Sequence, residues 1–135
     1  MKKLLWLSVL VLVVLFCFIG SVLGEDMKPL KKTKELVDLG KKLFERDCAT
    51  CHGMKGDGKG VAGIALTPPL SDFVLPLKSW PNTKGDLKKI FEVINKGIPN
   101  SAMIGWSQLS EKEKWGLAYY VTEFSKKNSP KHKGT

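Results

Sequence analysis

The feature that most constrains this chain is Cys48-Ala49-Thr50-Cys51-His52. Two thiols one helical turn apart, with an imidazole directly after them, suit three kinds of chemistry. They can form half of a structural zinc site, a thiol–disulfide pair, or the attachment point of a c-type haem. Zinc wants four ligands, and the chain holds only 3 cysteines and 2 histidines, with no second Cys-x-x-Cys. A redox Cys-x-x-Cys opens a helix after a strand. Here a helical pattern runs into the motif and no strand pattern precedes it. In Cys-x-x-Cys-His the sulfurs form thioethers to the two haem vinyl groups and the imidazole faces the iron. The motif therefore selects one covalent haem c, attached through Cys48 and Cys51, with His52 as an axial ligand.

Residues 1–24 differ in kind from the rest. Lys2 and Lys3 precede an uncharged, mostly apolar run from Leu4 to Leu23, followed by Gly24 and the acidic pair Glu25 and Asp26. This reads either as a signal peptide cleaved after Gly24 or as an uncleaved membrane anchor, because the run matches the roughly 20 residues a spanning helix needs. Either reading carries the remainder to the periplasmic side, since Lys2 and Lys3 hold the start inside. Cys17 follows Phe16 rather than the small residue a lipoprotein site requires, and belongs to the apolar run. The net charge of +9 in an exported chain does not point to nucleic acid.

Residues 25–32 read as a polar linker. Over 33–47, Leu36, Leu39, Gly40, Leu43 and Phe44 make one apolar stripe at helical spacing, with Thr33 as a candidate N-cap. Gly40 inside that stripe costs about 1 kcal/mol relative to Ala, which points to another helix crossing close to its backbone. Residues 53–71, rich in Gly and Pro, read as a loop wrapping whatever the motif binds. A second helix is expected over 83–96, started by Thr83 and Asp86 and stopped by Gly97 and Pro99. Residues 98–109 are irregular. A third helix is expected over 110–127, opened by the capping box Ser110/Glu113, with Leu117, Tyr120, Val121 and Phe124 on one face. The tail 128–135 is polar.

The second face of a haem iron would need its own ligand. His132 sits in the tail, and Met27 in the linker. Met54 follows His52 too closely to reach across the ring. Met103 lies in the irregular segment, far enough along the chain to cross. The alternative for Met103 is a plain core methionine; thioether ligation is favoured.

From residue 33 to 127 the chain resembles the class I monohaem cytochromes c. Gly40, Phe44, Cys48, Cys51 and His52 match the family's G-x-x-x-[aromatic]-x-x-x-C-x-x-C-H. The stretch CHGMKGDGKGVAGIALTPPLSDF resembles its variant with a C-H-G-x-x-G-D-G-x-G loop, and GIPNSAMIGW resembles its G-[IL]-P-x-[ST]-x-M-P-x-[WF], with Ile104 in place of Pro. The resemblance implies an all-α fold, about four helices around one haem, with the N- and C-terminal helices crossing at Gly40 and Tyr120. It also implies a backbone carbonyl of Pro68 or Pro69 accepting the second ring N–H of His52. Trp80 is implied as a donor to a haem propionate or as packing, and Trp106 as part of the haem surroundings.

A six-coordinate iron has no open position for substrate, so the expected function is one-electron transfer without enzymatic chemistry. Imidazole plus thioether raises the potential. Lys55, Lys59, Lys78, Lys84, Lys88, Lys89 and Lys96 either steer docking onto an acidic redox partner or merely solvate the surface. Two alternatives stand beside this: a haem subunit of a membrane respiratory complex, and a gas-binding sensor or enzyme with a labile sixth ligand.

Overall fold

A computed structural model describes residues 27–128. The leader with Cys17 and the tail with His132 lie outside the described residues. Within them the regular structure is helical, apart from one isolated bridge between Gly97 and Ile104.

Helix α1 spans Lys34–Leu43. Thr33 caps it, its hydroxyl accepting from the Leu36 N–H at 3.2 Å. The chain does not unwind at residue 47. It continues through a wide π turn, Phe44–Cys48, and a further helical turn α2, Ala49–His52. Gly53, with φ 76°, ends it. Because L-residues resist positive φ while Gly does not, the helix stops directly after His52.

Helix α3 spans Leu87–Lys96 and is capped by Asp86, whose carboxylate accepts from the Lys89 N–H at 2.9 Å. Thr83, expected at its start, instead belongs to a preceding turn. Lys84 and Gly85 there have φ of 51° and 75°, values no helix can continue through. Helix α4 spans Glu111–Asn128. Its capping box forms: Ser110 N–H donates to Glu113 Oε2 at 2.8 Å, and Glu113 N–H to Ser110 Oγ at 3.3 Å. Satisfying two otherwise orphaned donors in this way fixes the helix start.

Helices α1 and α4 cross at contact distance between backbones. A Cβ on Gly40 would overlap the Gly116 carbonyl oxygen, and one on Gly116 would stand 2.8 Å from the Leu36 carbonyl oxygen. The expected crossing at Gly40 is present, but Gly116 rather than Tyr120 faces it. Tyr120 packs one turn away, its ring 5.4 Å from Phe44 and 5.1 Å from Phe124. Leu36, Leu43, Phe44, Trp115, Leu117 and Val121 join Ile90, Phe91 and Ile94 of α3 in one core.

Residues 27–32 are not a free linker. They lie along α4, with the Tyr119 hydroxyl donating to the Leu30 carbonyl at 2.6 Å and Lys32 paired with Glu123 at 2.6 Å. Met27 packs against the core. A carbonyl and a charge hold this segment, so it shows no apolar stripe.

Two stability measurements follow from this architecture. Gly40→Ala forces α1 and α4 apart at a backbone contact that cannot rotate away. It is expected to lose about 3 kcal/mol, the upper end of overpacking effects, in denaturant titration; a loss under half that size would contradict the close crossing. Ser110→Ala removes the cap alone and is expected to lose about 1 kcal/mol with no change in the visible spectrum.

Candidate functional site

Helix α1, the π turn and α2 carry the Cys-x-x-Cys-His motif to the edge of a cavity of about 260 Å³. Cys48 and His52 line this cavity together with Met103 and Trp106 from the 98–109 loop. Pro68, Pro69, Phe73 and Trp80 line it from the middle of the chain, and Ile94, Leu117 and Val121 from α3 and α4. Residues spread over most of the domain thus meet around one largely apolar space. Cys51 is half-buried but is not part of the lining.

The two thiols are free, not joined as a disulfide. Burial, then the neighbouring Asp47 carboxylate, pushes the Cys48 thiol up to about 12. Redox-active thiols are tuned in the opposite direction, toward ready ionisation. Among the described residues no group of three or more His, Cys, Asp or Glu is placed to hold a metal ion by itself, so the zinc reading finds no partner ligands.

His52 is held by aromatic contact. Its ring stacks on Phe73 at 4.9 Å with 20° between planes, and lies 6.4 Å from Phe44. Burial lowers its pKa, which favours the neutral imidazole that metals bind. Its Nδ1 is buried without a hydrogen-bond partner. The bond expected from the Pro68–Pro69 stretch is therefore not made. The Phe73 stack sets the ring plane, while both prolines stand at the exposed rim of the cavity.

The glycine-rich loop is divided in its task. Its first part wraps the backbone of the motif, and its last part, residues 66–71, lines the cavity. Gly58, Gly60 and Ala62 donate to the carbonyls of His52, Cys51 and Thr50 at 2.9, 3.1 and 3.0 Å. These are the carbonyls that the end of α2 leaves unpaired. A Cβ on Gly60 or Gly63 would overlap the Thr50 or Cys51 carbonyl oxygen, so the glycines are required by close backbone approach. The cavity lining begins only at Leu66.

Met103 sits in a loop with defined ends. Its N–H donates to Ser101 Oγ at 3.1 Å, and its carbonyl accepts from Ile98 N–H at 2.9 Å. Trp106 N–H reaches the Ile94 carbonyl at 2.8 Å. Ile104 points to solvent at 66% exposure, and so does Met54 at 62%. Of Met27, Met54 and Met103, only Met103 lines the cavity. Trp80 is buried with its indole N–H donating to the Leu75 carbonyl at 3.1 Å. Its proton is spent there, which leaves Trp80 a packing role beside Phe73, 4.9 Å away. The reading from sequence gave no role to Phe73, Gly116 or Tyr119. The pairing of Asp72-Phe73 with the motif was the available signal for the first.

The donor set suits haem. Thiols, a neutral imidazole with a buried orphan nitrogen and a thioether are the side chains that attach and ligate haem c, and the lining is mostly apolar. An all-helical fold with N- and C-terminal helices crossing at glycine, around such a site, defines a c-type cytochrome. A family model described as cytochrome C oxidase, cbb3-type, subunit III matches residues 35–121, and the chain belongs to that family. It is an electron-transfer haem protein carrying one covalent haem c. A thiosulfate dehydrogenase of Thiomonas intermedia is 27% identical over 120 residues, covering 85% of this chain and 36% of that protein. A chain of the Kuenenia stuttgartiensis reducing HAO-like protein complex superposes with TM-score 0.57 at 28% identity, covering 70% of this chain and 45% of that chain. The chain thus spans less than half the length of each of these relatives.

Trp80→Phe separates packing from propionate contact. Loss of the bond to Leu75 is expected to lower stability by about 1 kcal/mol and to leave the reduction potential and its pH dependence unchanged in voltammetry. A pH-dependent shift in potential would restore the propionate role.

Proposed function

We propose that this chain is an exported one-electron carrier in which Cys48 and Cys51 would hold the haem, and His52 and Met103 would ligate its iron. The supporting observation is the meeting of Cys48, His52 and Met103 around one cavity, with Met54 and Met27 outside it. The haem supplies a one-electron couple. The protein's own groups supply the rest. Burial favours the neutral form of His52, and Phe73 fixes its ring. The apolar lining disfavours extra charge on the oxidised state and raises the potential together with the thioether. With His52 and Met103 both bound to the iron, the site would offer no open position for substrate, and the chain would act as a carrier rather than an enzyme.

The leader, residues 1–24, directs the domain to the periplasm, either released or tethered to the inner membrane by residues 4–23. The lysines of the loops and of α3 favour an acidic redox partner through long-range attraction that salt screens. A fixed subunit or relay domain within a larger assembly is the second reading. It is favoured by the relatives: one is an enzyme and the other a protein complex, and this chain matches only part of each.

Visible spectra of the holoprotein test the axial ligands. The expected result is a c-type spectrum with a sulfur-to-iron band when oxidised, unchanged by CO when reduced. Met103→Ala is expected to abolish the band and admit CO. A wild-type spectrum that shifts with CO would replace the carrier by an open-site sensor or enzyme.

A further inference from the structure

Lys114 is a charged residue in the first turns of α4, yet it is only 8% exposed. Its Nζ donates to Asn95 Oδ1 at 2.7 Å and to the Ser107 carbonyl at 3.3 Å, and lies 5.8 Å from the centre of the Phe91 ring. Two hydrogen bonds and a ring face thus occupy the ammonium. Among the described residues no carboxylate is paired with it within ion-pair distance. A lysine is seldom buried without such a partner, and its burial here needs a reason beyond solubility.

The two acceptors identify that reason. Asn95 lies in the last turn of α3, next to Ile94, whose carbonyl accepts from Trp106 N–H. Ser107 follows Trp106 directly. A Cβ on Gly105 would stand 2.7 Å from the Asn95 carbonyl oxygen, so the loop is pressed against this same turn. The near end of the loop is closed by the Ile98–Met103 hydrogen bond and the Gly97–Ile104 bridge. Lys114 fastens its far end, and the end of α3, to α4. Ile104 stands where the resemblance has a proline, so φ is not locked immediately after Met103. The loop's geometry therefore depends more on hydrogen bonds from outside it.

We propose that Lys114 is a positioning residue that holds the 98–109 loop, and with it the Met103 thioether, over the cavity. This rests on Met103 as an iron ligand. Lys114→Met keeps an apolar stem of similar length and removes both hydrogen bonds. Asn95→Leu removes the facing acceptor from the other side.

The test uses oxidised and reduced holoprotein, wild type and both variants. It follows the sulfur-to-iron band against temperature beside the far-ultraviolet melt, and CO binding at room temperature. Leaving buried polar groups unpaired should raise the loop-open population on the order of tenfold. Each variant is then expected to lose the band well below its global melt and to bind CO that wild type refuses. The double variant should do no more than Lys114→Met alone, which already breaks both hydrogen bonds, whereas Asn95→Leu spares the bond to Ser107. If band and fold are lost at the same temperature, Lys114 is merely structural and the proposal fails. If the band persists and CO is refused in both variants, the proposal fails while Met103 ligation stands. A wild type without the band would overturn Met103 ligation and the proposal with it. Should Lys114→Met not fold, Asn95→Leu alone decides.

Discussion

The contact on which the rest of the structure depends is the crossing of α1 and α4 at Gly40 and Gly116. Neither helix gains locally from its glycine, which disfavours a helix interior by about 1 kcal/mol relative to Ala. What the pair gains is approach: backbone lies on backbone, and the flanking Leu36, Leu43, Phe44, Leu117 and Val121 interlock at close packing. Dispersion between many atoms at short range is individually small and collectively large. Because α1 runs on into the Cys-x-x-Cys-His turn, and α4 supplies Leu117 and Val121 to the cavity, the same crossing sets the distance between the attachment motif and the wall behind it.

From that point the site is built outward by satisfying backbone groups. Helix α2 ends abruptly at Gly53, and its last carbonyls would be exposed or unpaired. The loop amides of Gly58, Gly60 and Ala62 close over them. The glycines that look like a wrapping for the cofactor thus rigidify the segment that carries the cofactor. His52 is positioned by contact as well: its ring is stacked on Phe73, with no hydrogen bond at Nδ1.

Much of this was legible in the sequence, and the rest was hidden for identifiable reasons. The stripe of α1, the Ser110/Glu113 box and the Asp86 start are local signals, and the structure contains each of them. The position of the crossing was readable from Gly40, because a glycine in an apolar stripe needs an explanation. Its partner Gly116 was not, because the apolar face read for this helix, Leu117, Tyr120, Val121 and Phe124, did not include it, while the helix is in fact buried nearly all round from Lys114 to Thr122. The docking of residues 27–32 uses the Leu30 carbonyl and the Lys32 charge, which no hydrophobic pattern records. Thr83 looked like a helix start, but Lys84 adopts a left-handed conformation that sequence does not announce. Trp80 shows the same limit from another side: its type suggested a donor to the cofactor, and only its distance to Leu75 reveals that the proton is taken.

The two sides of the cavity differ in how they are held, and that difference bears on function. The Cys48–His52 side hangs from a backbone crossing and from capped carbonyls, so moving it means parting α1 from α4. The Met103 side hangs from a short loop pinned by single hydrogen bonds at Ser101, Ile98, Ile94 and Lys114. Local opening draws on regions with few buried apolar contacts, which places it in the Met103 loop. An electron carrier needs both sides still, because any ligand change between oxidation states adds reorganisation to each transfer. A gas sensor needs one side to yield. On the proposed Met103 ligation, the choice between these uses would rest on how firmly α3 and α4 hold that loop rather than on the attachment motif.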